Sequence, residues 1–162
     1  MHQSQRANAT SKQISFLLQD WDDAYNVGSL FRVADSVGAE CLMMSGKTPH
    51  EGNPMIAVTS LGHHRRVGYR YLQNHTEAAQ TMVDEGWHLI AVEIADESAH
   101  YREFDYPDKL CLVLGNEERG VYGNVLRLCQ ASVFIPMFGK GRSMNVVTAG
   151  ALVAFEARLK TL

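Results

Sequence analysis

Three segments of the chain combine glycines with polar side chains in a pattern that could hold a small molecule. They span residues 22–38 (DDAYNVGSLFRVADSVG), 114–121 (LGNEERGV) and 134–150 (FIPMFGKGRSMNVVTAG). Glycines allow a ligand to approach the backbone closely. None of the segments has the G-x-x-x-x-G-K-[ST] or G-x-G-x-x-G spacing of phosphate-binding loops, and the two carboxylates of the second would repel a triphosphate. The pattern argues against a nucleotide-binding Rossmann site and favours a neutral or cationic ligand.

In the first segment, Asn26 stands at the expected start of a helix, and Gly28 lets the backbone come close to a neighbour. Arg32 is expected within that helix, beside the apolar side formed by Val27 and Phe31. A purely structural explanation is also available: a helix N-cap, a packing glycine, and an arginine whose aliphatic stem covers apolar surface. The spacing alone leaves both explanations open.

The second and third segments also admit two explanations. Each is acceptable as a plain connection between a strand and a helix, with Ser143 or Asn145 capping the final helix. Both glycine-bearing loops, however, follow neighbouring strands along the chain. Together they could form the walls of a small-molecule cleft.

A fourth feature, residues 62–71 (GHHRRVGYRY), contains two histidines, three arginines and two tyrosines. Adjacent histidines do not have the spacing of metal ligands on a helix, so we expect no metal site here. Basic residues interleaved with aromatic ones fit contact with RNA phosphates and stacked bases. A solvated basic face is the alternative. The candidate RNA-binding residues are His63, His64, Arg65, Arg66 and Arg70.

Short apolar runs alternate with helical patterns along the chain. Strands are expected over 14–18, 40–44, 88–94, 109–114 and 132–135, and helices over 27–37, 74–85, 124–129 and 145–159. Gly38 stands at a helix C-cap, and Asn74 and Glu77 have the spacing of a capping box. This alternation predicts an α/β domain whose mostly parallel sheet is flanked by helices. Ligands bind such sheets where loops leave the carboxyl ends of the strands.

The composition is that of an ordinary globular protein. The chain has 162 residues, 46% of them apolar and 20% charged, with a net charge of −3. We therefore expect a single domain over 1–162, with a flexible polar stretch at 1–12, and nucleic-acid contact through a local patch only. The three cysteines lack C-x-x-C spacing and are expected to be small buried apolar residues. Without a signal peptide or an apolar run of membrane-spanning length, a cytoplasmic protein is predicted.

In this order, the three segments resemble the motifs of the SpoU/TrmH branch of the SPOUT superfamily. Members of this branch are S-adenosylmethionine-dependent methyltransferases that act on the ribose 2′-hydroxyl of tRNA or rRNA. The resemblance runs from Ile14 to Leu159. The pattern N-x-G-x-x-x-R, then A-x-x-x-G, matches Asn26, Gly28, Arg32, Ala34 and Gly38. L-G-x-E-x-x-G matches Leu114, Gly115, Glu117 and Gly120. I-P-M, then S-[LM]-N-V, matches Ile135, Pro136, Met137, Ser143, Met144, Asn145 and Val146.

The resemblance implies a homodimer whose sheet ends in a deep trefoil knot that forms the cofactor cleft. It implies cofactor contacts, mostly through the backbone, around Val92, Gly115, Ile135, and Ser143 or Met144. It requires no metal. Of its two target RNAs, the short chain favours tRNA over rRNA, because it resembles the minimal members of the family.

The resemblance also assigns catalytic roles. Arg32 is the residue placed at the 2′-hydroxyl, where a guanidinium with a pKa above about 12 is better suited to stabilise an alkoxide or grip a phosphate than to act as a base. Asn26 and Asn145 would orient Arg32 and the ribose. Ser143 would support its loop, and Glu117 would fix the second segment or orient the arginine.

Two other functions within the same fold remain open. One is a methyltransferase directed to a base nitrogen, which the N-x-G-x-x-x-R motif disfavours. The other is an RNA-binding module without catalysis, which the joint presence of Arg32, Glu117, Ser143 and Asn145 disfavours. Binding of S-adenosylmethionine separates the second from an enzyme.

Overall fold

The computed structural model describes residues 11–160, which form seven β-strands and five α-helices. In chain order these are β1 (Gln13–Gln19), α1 (Ala24–Val37), β2 (Cys41–Ser45), α2 (Pro54–Ser60), β3 (Gly68–Leu72), α3 (His75–Asp84), β4 (His88–Val92), β5 (Ala99–His100), β6 (Lys109–Leu114), α4 (Gly123–Leu126), β7 (Ala131–Phe134) and α5 (Val146–Leu159). A 3₁₀ turn covers His63–Arg65. No helix within this range is long and apolar enough to cross a bilayer.

The seven strands form one sheet in the order β3-β2-β1-β6-β4-β7-β5, and every pairing between them is parallel. The central strands β1 and β6 are buried along nearly their whole length. Near-continuous apolar strands are required when helices cover both faces of a parallel sheet. The predicted fold class, an α/β domain with a parallel sheet, is confirmed.

Side chains of successive strand residues point to opposite faces of the sheet, so each face has its own core. In β1, Phe16 packs into the core that α1, α2 and α5 cover, and Leu17 into the core that α3 and α4 cover. Cys111 and Cys129 belong to the second core. Burial raises the pKa of both thiols, that of Cys129 to about 12, so they are the apolar, unreactive groups that the sequence predicts.

The close approach predicted at Gly28 occurs between two helices rather than at a ligand. A Cβ at Gly28 would lie 2.1 Å from Thr59 Oγ1 and 2.3 Å from the carbonyl oxygen of Ile56. The Thr59 hydroxyl also donates to the Tyr25 carbonyl across the same contact (2.7 Å). Gly28 therefore serves the packing of α1 on α2, which is the structural explanation of this glycine.

The predicted strands are all present, within one or two residues at each end, and so are the four predicted helices. The structure adds α2, β3 and β5, which the sequence pattern did not reveal. Of the stretch 1–12 that was expected to be flexible, residues 1–10 lie outside the described part of the chain. Lys12 is buried, and its ammonium donates to the carbonyl oxygen of Tyr106 (2.8 Å).

Candidate active site

The carboxyl ends of the central strands lie at one edge of the sheet. The register aligns Leu18 of β1 with Met44 of β2 and Leu114 of β6, and Val113 with Ala91 of β4. The loops that follow β4, β6 and β7 enclose a cleft of about 500 Å³, within the range of small-molecule sites. Its lining residues are Asn26, Val92, Glu93, Ile94, Gly115, Asn116, Glu117, Glu118, Gly120, Phe134, Ile135, Met137, Ser143, Met144, Asn145, Val146 and Ala149.

This lining contains every residue predicted to bind a cofactor. It also contains every predicted catalytic residue except Arg32. The three segments meet at one cleft because they begin at the carboxyl ends of strands or lie on the adjacent helix α1.

A chain of hydrogen bonds joins the three segments along one wall of the cleft. Asn145 Nδ2 donates to Asn26 Oδ1 (3.1 Å), and Asn26 Nδ2 donates to Glu117 Oε1 (3.4 Å). Glu117 Oε2 accepts from the N–H of Asp22 (3.0 Å). One side chain from each segment thus contributes to a single polar network, which fixes the orientation of both amides.

The two asparagines have different places in their helices. Asn145 is the N-cap of α5, as one of the two predicted alternatives required. The possibility that Asn26 is the N-cap of α1 is wrong. Asp23 takes that position, and its carboxylate accepts from the N–H of Tyr25 (2.8 Å). Asn26 lies in the first turn, so its side chain is free to reach the cleft.

The second segment forms a tight turn at residues 115–120. The N–H of Asn116 donates to the Gly120 carbonyl (3.1 Å), and the N–H of Gly120 donates back (2.9 Å). A Cβ at Gly115 would lie 2.2 Å from the backbone carbon of Gly120, so no larger residue fits. The buried Asn116 side chain accepts from the N–H of Glu118 (3.0 Å) and donates to the carbonyl of Asp20 (2.6 Å). This wall of the cleft is therefore rigid.

Two residues that fix this turn were missed in the sequence. Glu93, directly after β4, lines the cleft, and its Oε2 accepts from the N–H of Val121 (2.8 Å). Gln19, at the end of β1, accepts from the N–H of Tyr122 (2.6 Å). Both are polar residues at the carboxyl ends of buried strands. That position is the signal from which the sequence could have identified them.

Asp20, next to this turn, is almost fully buried and has a left-handed backbone (φ 59). Its carboxylate accepts from the hydroxyl of Tyr122 (2.5 Å) and the N–H of Lys47 (2.9 Å). Burial alone raises the pKa of this carboxyl. The two hydrogen bonds and the nearby His75 outweigh burial, and the pKa lies below its ordinary value of 3.8.

Replacing Asp20 by asparagine is expected to reduce stability at neutral pH, by an amount that shrinks under acid. A carboxyl whose pKa is lower in the folded state contributes stability that is complete above its unfolded pKa and is lost as the pH falls through the folded value. Asparagine tolerates the left-handed backbone. Urea unfolding between pH 7 and pH 3 measures the difference in unfolding free energy. A difference in unfolding free energy that stays constant with pH would contradict the lowered pKa of Asp20. Asp96→Asn, at an exposed position, is the control.

Arg32 lies outside the cleft lining and is exposed on α1. It was expected beside Val27 and Phe31, but it lies about 100° from Phe31 around the helix, since each residue of an α-helix turns by that angle. It is about 9 Å along the axis and a third of a turn away from Asn26. Among the described residues its guanidinium has no hydrogen-bond or ion-pair partner. The guanidinium of Arg32 is therefore available to contact another molecule.

The predicted RNA-binding segment is partly neutralised by the protein's own acids. Asp35 accepts from His63 Nδ1 (2.6 Å) and from the guanidinium of Arg66 (3.2 Å). Arg70, in β3, pairs with Glu85 (2.7 Å). These ion pairs reduce the positive charge that the segment presents.

The other two candidates in this segment differ. His64 hydrogen-bonds to the hydroxyl of Ser60. Arg65 is exposed, and its guanidinium has no partner among the residues that the structure describes. Within residues 11–160, no group of three or more histidine, cysteine or acidic side chains is placed to hold a metal ion.

The fold and the cleft define an α/β protein with a small-molecule site at the carboxyl edge of its sheet. Residues 13–155 match the model of the SpoU rRNA Methylase family, so the chain belongs to this family. The resemblance drawn from the three motifs is confirmed.

Characterised relatives include the tRNA (guanosine(18)-2′-O)-methyltransferase of Thermus thermophilus, 30% identical over 92% of this chain and 76% of that protein. A 23S rRNA (guanosine-2′-O-)-methyltransferase of Neisseria meningitidis is 26% identical over 93% of this chain and 60% of its own length. Among solved structures, the AdoMet-bound rRNA methyltransferase of Sinorhizobium meliloti superposes with a TM-score of 0.86 at 25% identity, over 93% of this chain and 57% of that one. The chain thus spans about three-fifths of the last two proteins.

Proposed function

We propose that this protein transfers the methyl group of S-adenosylmethionine to the 2′-hydroxyl of a ribose in RNA. The observation that carries the proposal is the hydrogen-bonded chain of Glu117, Asn26 and Asn145, which joins all three motifs along one wall of the cleft. The relatives from Thermus and Neisseria, named as 2′-O-methyltransferases of tRNA and rRNA, support it.

The cleft suits the cofactor. S-adenosylmethionine, when bound, supplies an electrophilic methyl group on a positively charged sulfur. Carboxylates of Glu93, Glu117 and Glu118 line the cleft and favour a cation over a polyanion. Gly115 leaves one wall without a side chain, and Ile135 offers an apolar surface for the adenosine. The residues proposed to contact the cofactor are Val92, Gly115, Ile135, Ser143 and Met144.

The chain's own residues orient the nucleophile. Because Asn145 and Glu117 hold both ends of the Asn26 amide, the two asparagines can present fixed polar groups to the ribose. Preorganised alignment is the main contribution that a protein makes to an in-line displacement. Arg32 stabilises the developing alkoxide or grips the adjacent phosphate. Ser143 supports the third segment.

The functional unit is a homodimer. Large apolar side chains are exposed on α2 and α5, and both helices pack on α1, which carries Arg32. An apolar face of this kind is typical of a surface that another protein covers. Exposed apolar residues on these helices are Met55, Val58, Leu152, Phe155 and Leu159. Light scattering is expected to give a molecular mass of twice the 18.0 kDa of one chain.

The segment from β7 to α5 is threaded as a deep trefoil knot, as the resemblance implies. Two observations support the threading. Residues 135–145 leave the outer part of the sheet at β7, and they return to α1, where Asn145 bonds to Asn26. The segment therefore crosses the carboxyl ends of β4 and β6, where it closes the cleft.

The favoured substrate is tRNA, on which the Thermus relative is named as acting, and the enzyme acts in the cytoplasm. Residues 63–70 provide a secondary RNA contact through Arg65, with His63, His64, Arg66 and Arg70 contributing once their intramolecular partners are displaced. Mapping of ribose methylations in total RNA from cells with and without the gene distinguishes tRNA from rRNA.

Calorimetry with S-adenosylmethionine and digestion of RNA treated with the purified protein test the proposal. Cofactor binding in the range of about 1 μM to 1 mM and a 2′-O-methylated nucleoside are expected. A methylated base would establish the base-directed alternative. An absence of both cofactor binding and transfer would establish a non-catalytic RNA-binding module.

A further inference from the structure

Phe138 is the most exposed large apolar side chain within residues 11–160, with 95% of its surface accessible. It follows Met137, which lines the cleft, and it precedes Ser143 and Met144, which line it too. Phe138 therefore lies on the loop that borders the cleft, and its ring is open to solvent. Ile94, also exposed, lies in the lining of the same cleft.

Two cations accompany this ring. Lys140 and Arg142 are exposed, and neither has an ion-pair or hydrogen-bond partner among the residues that the structure describes. The basic residues Arg66 and Arg70 are instead paired with acids. Unpaired cations keep their full charge available for phosphate groups.

The charge of the cleft decides where an RNA backbone can lie. The lining carboxylates of Glu93, Glu117 and Glu118 repel phosphates from the interior. The backbone must therefore stay at the rim while a single ribose approaches the Asn26–Asn145 pair. Lys140 and Arg142 are on the loop that forms this rim.

The loop 135–145 is fixed at both ends. The carbonyl of Phe134, before the loop, accepts from the N–H of Tyr101 (3.0 Å), and Asn145, after it, caps α5. At the tip, a Cβ at Gly139 would meet nothing within 4 Å. The loop tip thus has open space around it, and Phe138 lies four residues after the fixed end at Phe134.

We propose that Phe138 stacks on an unpaired nucleobase next to the target nucleotide, while Lys140 and Arg142 hold the flanking phosphates. Aromatic side chains combined with a basic track are the means by which proteins bind single-stranded RNA. The inference rests on the proposed function and adds the element that grips the substrate. An alternative role for the ring is contact with a second copy of the chain, which the experiments below distinguish.

The direct test is fluorescence of a Phe138→Trp variant. Trp21 and Trp87 are buried, so emission from an exposed third tryptophan is separable. Quenching by unfractionated tRNA and by a short oligoadenylate, but not by inorganic polyphosphate, is expected because only the first two carry bases. Equal quenching by all three, or none by the RNAs, overturns stacking.

Substitutions provide the second test. Phe138→Ala and Phe138→Leu are both expected to raise the Kd for tRNA about tenfold, since leucine keeps apolar bulk without a ring. Phe138→Trp restores binding, and calorimetry shows unchanged S-adenosylmethionine affinity in all three. Full binding by the leucine variant, or a loss of the dimer in light scattering, overturns the proposal in favour of an apolar or intersubunit contact.

The cations are tested by salt dependence. Lys140→Gln combined with Arg142→Gln is expected to lower the slope of log Kd against log salt by about 1.4 for single-stranded RNA. Arg127→Gln, at another exposed and unpaired cation, is the control. An unchanged slope in the double variant overturns the role of these cations. If the wild type binds RNA with all these properties yet transfers no methyl group, the proposed function fails, while stacking of Phe138 on RNA bases stands.

Discussion

Replacing Arg32 by alanine is expected to abolish methyl transfer and to leave S-adenosylmethionine affinity unchanged. The guanidinium lies outside the lining of the cleft and has no partner within residues 11–160, so its removal disturbs no contact of the cofactor. Loss of one group that stabilises a developing oxyanion lowers kcat by about a hundred- to a thousandfold. Alanine is also the strongest helix former, so α1 should remain folded. Single-turnover transfer and calorimetry measure the two effects.

Two further variants sharpen this experiment. Arg32→Lys keeps the charge but loses the planar fork of donors, so it should recover only part of the rate. Arg127→Ala removes an exposed, unpaired arginine elsewhere and should behave like the wild type. Equal activity in wild type and Arg32→Ala would remove Arg32 from the mechanism. A parallel loss of cofactor affinity would place it in the cofactor site instead.

Gly115→Ala is expected to destroy the cofactor site. The new Cβ would lie 2.2 Å from the backbone carbon of Gly120 and 2.3 Å from the nitrogen of Val121, and backbone atoms cannot move aside as a flexible side chain can. The turn must therefore open, which breaks its paired hydrogen bonds at Asn116. S-adenosylmethionine affinity should fall about a hundredfold or more, by the loss of two or more hydrogen bonds of ordinary strength.

The matched control is Gly123→Ala, at the start of α4. A Cβ there meets nothing within 4 Å, and this glycine does not have a left-handed backbone. Cofactor affinity should be retained in that variant. Wild-type affinity in Gly115→Ala would show that the turn at 115–120 does not form the cofactor wall.

The sequence predicted the central strands well because they are buried on both faces and read as continuous apolar runs. β3 was missed for the opposite reason. Its residues, GYRYL, lie at the edge of the sheet and are only partly buried, so the basic and aromatic side chains conceal the strand. α2 has only seven residues, with several apolar side chains exposed, and carries little helical periodicity.

The candidate site was predicted as a set of residues but not as a network. Spacing placed Asn26 near a helix start, yet it could not show that Asp23 takes the cap and frees Asn26 for Glu117. The side chain of Glu93 accepts from the N–H of Val121, 28 residues further along the chain. The side chain of Asn116 accepts from the N–H of Glu118 within its own turn. The sequence position of Glu93 after a buried strand indicates a polar residue near the site, but its N–H partner depends on the tertiary structure.

Predicting from sequence which basic residues can bind RNA is limited in the same way, because it also depends on tertiary contacts. The segment 62–71 has a basic composition, but Asp35, from α1, hydrogen-bonds to His63 and forms an ion pair with Arg66. Lys140 and Arg142 form a smaller cluster in sequence, and neither is paired with an acid within residues 11–160. Which cations are available to RNA depends on the acids that folding brings next to them.

The most direct measurement is alkaline hydrolysis of RNA that the purified protein has treated with methyl-labelled S-adenosylmethionine. Alkali cleaves RNA by attack of the 2′-oxygen on the neighbouring phosphate, so a 2′-O-methyl group prevents cleavage at that nucleotide. The account predicts that the label is recovered in alkali-resistant dinucleotides, and that Gly115→Ala and Arg32→Ala yield none. Label recovered only in mononucleotides would mean methylation of a base and would contradict the account.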